Sequence, residues 1–248
     1  MSSQENPGSK NRLNGRICLI TGASRGIGYA LAKAFAAEGA QVIALARTQK
    51  GLTKLDDEIR AAGGLPPVLV PCDLTKFAAI DELGAALFTR FGRLDVLVAN
   101  AGQLGALGPV ALSDADKFET TLAVNLTANY RLIRSMDPLL RASDAGRAIF
   151  VTSGVTRGLL PFWGAYAVSK VALEHMVQLY AAESASSNIK VHLIDPGAVR
   201  TDMRAQAFPG EDPATLPAPE AIAETFIEMA VADSIVPSGG RVRALAQA

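Results

Sequence analysis

The chain has 248 residues, 24 acidic and 24 basic side chains, and a hydrophobic fraction of 49%. This length fits one α/β domain, and a formal net charge of zero provides no basic field that would attract nucleic acid or an anionic membrane. No apolar run approaches the roughly 18 residues of a membrane span. Because residues 1–11 are polar, we expect a soluble, cytoplasmic protein with a flexible N-terminal leader and one domain over residues 12–248.

Short apolar segments alternate with longer segments of helical periodicity along the chain. Because the short segments are continuously apolar, both faces of the sheet that they form should be covered. The sequence therefore predicts a single α/β domain with a doubly wound, seven-stranded parallel sheet, the Rossmann fold. The predicted strands are 17–21, 41–46, 68–71, 96–99, 148–152, 190–194 and 241–245. The predicted helices are about 26–38, 49–62, 76–91, 113–141, 162–186 and 219–232.

Three glycines, Gly22, Gly26 and Gly28, separate the first predicted strand from the first predicted helix. Glycine permits backbone dihedrals that strain other residues, and it lets a phosphate lie against main-chain N–H groups at the positive end of a helix. A plain tight turn has the same composition, but pyrophosphate binding is the favoured interpretation.

The end of the second predicted strand indicates which dinucleotide this turn would bind. NAD-binding domains place an acid on the ribose 2′-hydroxyl about 20 residues after the glycines, and this chain has Arg47 near that position. Arg47 and Arg25 can form forked, charge-assisted hydrogen bonds with a 2′-phosphate. NADP(H) is therefore favoured over NAD(H), although each arginine singly is also explained as a surface residue.

Polar residues follow the third and fourth predicted strands and interrupt a predicted helix. Asp73 suits a cap for the helix that follows it. The tripeptide Asn100-Ala101-Gly102 suits a turn at the carboxyl edge of the sheet, where small residues admit a ligand closely. Asn125 lies inside a helix, where its amide competes for backbone groups, and this predicts a local kink.

Tyr166 and Lys170 are spaced so that both side chains lie on one face of a helix, and Ser153 precedes them at the end of the fifth predicted strand. A tyrosine has an ordinary pKa of roughly 10. A nearby cation stabilises phenolate and lowers that pKa toward the working range of a general acid or base. Taken singly, the Tyr/Lys spacing is also that of an amphipathic surface pair.

Together and in this order, the motifs resemble the short-chain dehydrogenase/reductase family, over about residues 12 to 232. The motifs are the glycine turn at 21–28, the Asn-Ala-Gly tripeptide at 100–102, Asn125, Ser153, and Tyr166 with Lys170. The family's Asn-Asn-Ala-Gly motif is altered here because Ala99 stands at its first position. The resemblance implies hydride transfer between nicotinamide C4 and a carbonyl or alcohol carbon.

The resemblance also implies the role of each site residue. Ser153 would hydrogen-bond the carbonyl oxygen, Tyr166 would give the proton, Lys170 would bind the nicotinamide ribose while lowering the pKa of Tyr166, and Asn125 would hold a water in a proton relay. The implied catalytic residues are Asn125, Ser153, Tyr166 and Lys170. The implied cofactor-binding residues are Gly22, Ser24, Arg25, Gly26, Ile27, Gly28, Arg47, Asp73, Leu74, Asn100, Ala101, Gly102, Tyr166, Lys170, Pro196, Gly197, Val199 and Thr201.

Three of these positions have a specific implied contact with NADP(H). Asp73 would accept a hydrogen bond from the adenine amino group. The backbone at Val199 and the hydroxyl of Thr201, after the Pro-Gly pair at 196–197, would hold the nicotinamide carboxamide. The alternative for that pair is an ordinary Pro-Gly turn.

The substrate is predicted to be small and apolar because apolar residues flank the Tyr/Lys pair and the Pro-Gly segment. They are Leu159, Leu160, Phe162, Trp163, Met203 and Phe208. A 3-oxoacyl-carrier-protein reductase is an alternative, but residues 171–188 contain no lysine or arginine for an acidic carrier. A second alternative, a nucleotide-sensing module without catalysis, has no need of Ser153, Tyr166 and Lys170 together.

The long helices at 113–141 and 162–186 carry small and apolar residues that predict a homodimer or homotetramer. The chain ends differently from many family members, in which the last strand and its preceding helix pack across a two-fold axis.

Residues 200–217, rich in Pro, Gly and charge, are predicted to be a mobile lid. Cys18 and Cys72 are expected to be buried thiols, and no metal site is predicted.

Overall fold

A parallel β-sheet forms the centre of the computed structural model, which describes residues 11–245. Its strands are β1 (Ile17–Thr21), β2 (Gln41–Ala46), β3 (Val68–Pro71), β4 (Val96–Ala99), β5 (Arg147–Val151), β6 (Lys190–Asp195) and β7 (Arg241–Arg243). They lie in the order β3-β2-β1-β4-β5-β6-β7, and every neighbouring pair is parallel. The predicted seven-stranded Rossmann sheet is confirmed.

Helices cover both faces of this sheet. They are α1 (Gly26–Ala37), α2 (Gln49–Ala61), α3 (Phe77–Phe91), α4 (Ala115–Leu122), α5 (Ala128–Arg141), α6 (Gly164–Glu183), α7 (Asp202–Ala207) and α8 (Ala223–Ala230). Successive side chains of β1 point to opposite faces. Cys18 and Ile20 join the core under α1, α2 and α8, whereas Ile17 and Leu19 join the core under α3, α5 and α6. The continuously apolar strands are thus explained by burial on two sides.

The strand order positions the site. The chain adds β2 and β3 on one side of β1 and then crosses to β4 on the other side. The loops that follow β1 and β4 therefore diverge, and they open a crevice at the carboxyl ends of the strands. The residues that were singled out after β1, β2, β3, β4, β5 and β6 all follow strands at this edge.

Two predicted segments differ from the structure. The helix predicted over 113–141 consists of α4, a π-helical segment (Ala123–Thr127) and α5, and the π-helical segment contains Asn125, where the sequence predicts a local kink. The segment 200–217 contains the short helix α7, which the sequence did not predict, and its mobility stays a prediction.

The remaining differences are small. The last strand ends at Arg243 rather than at residue 245. Cys18 is buried as predicted, but Cys72 follows β3 and is partly exposed, because it lies at the crevice rather than inside the sheet. The predicted leader at 1–11 falls, except for Asn11, outside the described residues, as do residues 246–248. Between residues 11 and 245, no helix has both the length and the apolar character that crossing a membrane requires.

Candidate active site

The glycine turn between β1 and α1 is shaped by close backbone approach. Gly22 has a φ of +72°, in the left-handed region that favours glycine. A Cβ at Gly28 would overlap the carbonyl oxygen of Gly22 and would lie 2.6 Å from Asn100 Nδ2. Only hydrogen fits at position 28, so α1 starts close against the end of β1 and turns its first N–H groups toward the crevice.

Thr21 fixes the turn to the end of β4, a function that the sequence analysis missed. Its hydroxyl accepts hydrogen bonds from the backbone N–H groups of Asn100 and Ala101, both at 3.0 Å. The side-chain amide of Asn100 donates to the Thr21 carbonyl at 2.9 Å. The sequence feature that could have indicated this function is a hydroxyl residue at the end of an otherwise apolar strand.

A cavity of about 840 Å³ runs along the carboxyl edge of the sheet. Most of the predicted cofactor-binding residues line it: Gly22, Ser24, Arg25, Gly26, Ile27, Arg47, Asp73, Leu74, Asn100, Ala101, Gly102, Tyr166, Lys170, Pro196 and Thr201. Ser153, Gly197 and Val199 line a smaller neighbouring cavity of about 120 Å³ instead. Gly28 and Asn125 line neither cavity, because they lie behind the residues that do.

Charged residues gather at the β2 and β3 end of the large cavity. Arg47 is exposed there, and its charge, with that of Lys76, helps to lower the pKa of Asp73. The main cause of the lowered pKa is the hydrogen bond from the Thr75 backbone N–H to Asp73 Oδ1, at 3.0 Å. Arg25 Nη1 lies 3.3 Å from Asp202 on α7, and both side chains are 71% exposed.

Asp73 caps a turn rather than a helix. Its Oδ1 also accepts a hydrogen bond from the Thr75 hydroxyl at 2.9 Å, and its carbonyl accepts one from Lys76 N–H at 2.9 Å. The sequence predicts that Asp73 caps the helical segment beginning at Thr75, but α3 begins at Phe77 with Lys76 as its N-cap, so that this prediction was wrong. The carboxylate still lines the large cavity.

Ser153, Tyr166 and Lys170 come together where the two cavities adjoin. Tyr166 lines both cavities, Ser153 the smaller and Lys170 the larger. The ammonium of Lys170 donates to the Val151 carbonyl at 2.8 Å and lies 5.9 Å from the centroid of the Tyr166 ring. Burial lowers the pKa of Lys170 to about 8, against the opposing influence of the Glu174 carboxylate.

The pKa of Tyr166 is raised, chiefly because burial disfavours phenolate. A side-chain hydrogen bond with Ser153 opposes this shift, and the negative charge of Asp195 adds to it. The sequence predicted the opposite direction, with Lys170 lowering the pKa. That prediction was wrong for this geometry because the cost of burying the phenolate outweighs the favourable influences on it.

Asn125 occupies the π-helical segment and is fully buried. Its side chain pairs with both backbone groups of Gln103, donating to the carbonyl and accepting from the N–H at 2.9 Å each, and it also donates to Ser169 Oγ at 3.0 Å. A Cβ at Gly102 would lie 3.3 Å from Asn125 Oδ1 and 3.7 Å from Lys170 Nζ. Asn125 therefore joins the end of β4 to α6, the helix that carries Tyr166 and Lys170.

The segment after β6 turns at Gly197, whose φ is +74° and whose N–H donates to Asp195 Oδ1 at 3.0 Å. Val199 is buried, and the hydroxyl of Thr201 accepts from Arg204 N–H at 3.2 Å to cap α7. The Thr201 methyl group would be 3.5 Å from a Cβ at Gly26. This segment thus forms the wall of the cavity that faces the glycine turn.

Aromatic and apolar side chains form the wall of the smaller cavity. Trp163 packs against Tyr166 and Phe208, with ring centroids 6.0 and 5.6 Å apart, and Leu104 and Met203 complete the wall. Three residues predicted to contribute line neither cavity and are exposed instead: Leu159, Leu160 and Phe162. They belong to a loop that runs over the surface before α6.

The fold and these side chains define a class: a dinucleotide-binding Rossmann domain with a buried Tyr–Lys pair at the carboxyl edge of its sheet. Residues 16–212 match the family model described as short chain dehydrogenase. The chain belongs to the short-chain dehydrogenase/reductase family of oxidoreductases.

Relatives of similar length share both sequence and fold. The uncharacterized oxidoreductase YciK of Escherichia coli K12 is 38% identical over 224 residues, which cover 90% of this chain and 88% of YciK. The structure of a short chain dehydrogenase from Pseudomonas syringae superposes with a TM-score of 0.92 at 38% identity, covering 95% of this chain and 96% of that one. A short chain dehydrogenase of Shigella flexneri 2a, crystallised with NADP, gives a TM-score of 0.91 at 36% identity, covering 95% and 99%.

Proposed function

We propose that this protein is an NADP(H)-dependent oxidoreductase that interconverts a small apolar carbonyl compound and its secondary alcohol. The observation that carries the proposal is the meeting of Ser153, Tyr166 and Lys170 at the junction of a large cavity lined by the glycine turn and a small, mainly apolar one. A dinucleotide suits the first cavity, and a carbonyl carbon beside Tyr166 suits the second.

The residues of the large cavity fit NADP(H). Gly22 and Gly28 let the first turn of α1 pack closely against the ends of β1 and β4, so that its N–H groups can face a pyrophosphate, and a Cβ at either position would push these segments apart. Arg25 and Arg47 supply two guanidinium groups for a 2′-phosphate, and Asp73 supplies a carboxylate for the adenine amino group. The complex of the Shigella relative with NADP supports this assignment.

Bound NADPH would supply the hydride, and the side chains of this chain would handle the proton. With its raised pKa, Tyr166 keeps its phenolic proton at neutral pH and is ready to donate it to a carbonyl oxygen. Ser153, which lines the smaller cavity together with Tyr166, would hold that oxygen in place. Lys170, with a pKa of about 8, is mostly cationic at neutral pH and would bind the ribose hydroxyls. Asn125 would support proton resupply through the position it holds between β4 and α6.

The wall of the smaller cavity supports an apolar substrate. Leu104, Trp163, Met203 and Phe208 offer hydrocarbon and aromatic surface, while Arg204 is engaged in a two-bond ion pair with Glu211 at 2.6 Å. Of the three arginines on α5, Arg131 and Arg141 are paired with acids of the same chain, at 3.5 and 2.7 Å, which leaves the exposed Arg134 as the cation that this helix offers to an acidic carrier protein.

Two measurements test the proposal in sequence. Fluorescence titration of the purified protein with NADPH and NADH should show tighter binding of NADPH. Loss of NADPH absorbance with a panel of aromatic and aliphatic ketones and diketones should then identify turnover that Tyr166→Phe abolishes while NADPH still binds. Failure of both nucleotides to bind would overturn the proposal, and binding without any turnover would favour the nucleotide-sensing module.

Exposed apolar side chains on α5 and α6 support a homodimer or homotetramer as the functional state. Tyr130 on α5 and Val168, Val171 and Leu179 on α6 are each about half exposed, at 49–51%. Several exposed apolar residues on two long helices are typical of a surface that another protein chain covers.

A further inference from the structure

Arg241 on β7 is a largely buried cation at the carboxyl edge of the sheet that the proposed chemistry does not use. Its side chain is only 10% exposed. Nη2 donates to the carbonyl of Ser153 at 3.0 Å and to Asp195 Oδ2 at 2.7 Å, and Nη1 donates to the Thr156 hydroxyl at 2.6 Å and to Glu174 Oε1 at 2.9 Å. One guanidinium therefore contacts the turn after β5, the helix α6 and the end of β6.

Each partner of Arg241 belongs to a segment that carries part of the site. Ser153 begins the turn after β5, and Thr156 lies within that turn. Glu174 stands one helical turn after Lys170 on the same face of α6. Asp195 uses its other oxygen to accept from Gly197 N–H and so shapes the segment that runs on to Val199 and Thr201.

Glu174 extends the network back to the strand that precedes Ser153. Its Oε1 accepts from the Thr152 hydroxyl at 2.6 Å, and it lies 2.9 Å from the Thr156 hydroxyl. The backbone on both sides of Ser153 is thereby held to the helix that carries Tyr166. Ser153 and Tyr166 line the same small cavity, and Ser153 acts to lower the pKa of Tyr166, so a displacement of this turn moves the two groups relative to each other.

We propose that Arg241, with Glu174 and Asp195, is a positioning residue of the hydride-transfer site. Its planar fork fixes the turn of Ser153 and the 195–199 segment against α6. The inference rests on the proposed function, and it assigns to β7 a part in catalysis beyond closing the edge of the sheet. Lysine cannot replace the arginine, because a single ammonium group cannot reach four acceptors on three segments in one plane.

The charges of Arg241 and Asp195 also affect the pKa of Tyr166. Arg241 neutralises Asp195, whose negative charge raises the pKa of Tyr166. Arg241 and Lys170 together balance Glu174 and Asp195, the two carboxylates that face them. Removal of the guanidinium leaves Asp195 uncompensated, which stabilises the protonated phenol further and moves the alkaline limb of the activity profile to higher pH.

The test compares Arg241→Lys and Arg241→Met with Arg243→Met, a control on the same strand whose side chain is exposed. Benzil, an aromatic diketone, serves as the probe substrate with NADPH. We expect kcat to fall about 10- to 100-fold in both Arg241 variants, as for small misplacements of reacting groups, with KM changed by less than about threefold. We also expect the alkaline limb to move upward in Arg241→Met and to stay in place in Arg243→Met.

Hydrogen–deuterium exchange supplies a readout that needs no turnover. The Arg241 variants should exchange faster in residues 150–158 and 194–200, whereas Arg243→Met should not. If Arg241→Met fails to fold, Glu174→Gln is a milder variant because it keeps the shape of the side chain. It should make residues 150–158 exchange faster. Faster exchange confined to β7, or a kcat equal to that of the control, would overturn the proposal. If wild-type protein binds no NADPH, the proposed function fails, and exchange in the two regions alone decides whether Arg241 positions them.

Discussion

Replacement of Arg47 by aspartate should remove the preference of this protein for NADPH over NADH. Arg47 is exposed at the β2 and β3 end of the cofactor cavity, next to Asp73. Under the proposed function it faces the 2′-phosphate of NADPH, a group that NADH lacks. The substitution removes one guanidinium and places a second carboxylate beside Asp73, so that a dianionic phosphate is repelled where it was attracted.

The exposure of Arg47 and the usual energy of a charged hydrogen bond give the expected loss of NADPH affinity. A hydrogen bond to a charged group contributes about 1.5–3 kcal/mol, and exposure of Arg47 to solvent places it near the lower end of that range. Adding a repulsion of similar size gives about 3 kcal/mol, or about a 100-fold loss of NADPH affinity. NADH affinity should change by less than about threefold, because Arg47 is proposed to contact only the 2′-phosphate, which NADH lacks.

Fluorescence titration with both nucleotides at low and moderate salt measures these affinities. Lys50→Asp is the matched control: it makes the same change of charge in the first turn of α2, on an exposed residue that does not line the cavity. Equal weakening of NADPH binding by both substitutions would show a long-range field rather than a contact. Equal weakening of NADPH and NADH by Arg47→Asp would refute the assignment of Arg47 to the phosphate.

Three further predictions concern the glycine turn, the buried Lys170 and the exposed face of α6. Gly28→Ala should abolish NADPH binding because its Cβ would lie 2.6 Å from Asn100 Nδ2, whereas Gly158→Ala, whose Cβ meets nothing within 4 Å, should bind normally in the same titration. Burial lowers the pKa of Lys170 from 10.5 to about 8, so the unfolded chain holds more protons between these values. The free energy of unfolding, measured with urea, should therefore rise with pH in wild type relative to Lys170→Met, and parallel curves would contradict the burial of an ionisable amine. Val171→Glu should lower the sedimenting mass by placing a charge on the half-exposed face of α6, and an unchanged mass would place the subunit contact elsewhere.

The fold follows from local patterns that the sequence shows directly. The bounds of β1 to β4 agree with the predicted strands because each is a short apolar run ended by a turn signal. The short helix α7 was missed because its six residues, Asp202–Ala207, have no apolar stripe and little burial. The π-helical form at Asn125 was also beyond the sequence pattern, since it depends on Gln103 and Ser169 being within reach of one amide.

The sequence indicates those residues of the candidate site that belong to recognisable motifs. These are the glycine turn and Ser153, Tyr166 and Lys170. Arg241 does not, because its four partners are separated from it by 46 to 88 residues and meet only when β7 is added to the sheet. The direction of the Tyr166 pKa shift was wrong for a related reason: burial is a property of the whole fold, whereas the spacing to Lys170 is visible in the sequence.

The protonation states of the buried groups bear on the direction of the proposed reaction. At neutral pH the phenol of Tyr166 holds its proton because its pKa is raised, and Lys170 is mostly cationic because its pKa of about 8 is still above neutrality. Carbonyl reduction consumes a proton at the oxygen, and a site that begins with Tyr166 protonated can supply it at once. Alcohol oxidation needs Tyr166 as a base, and the buried phenol together with the Asp195 charge opposes that state. We therefore expect the rate of carbonyl reduction to be highest near neutral pH and the rate of alcohol oxidation to rise in alkaline solution, where phenolate forms.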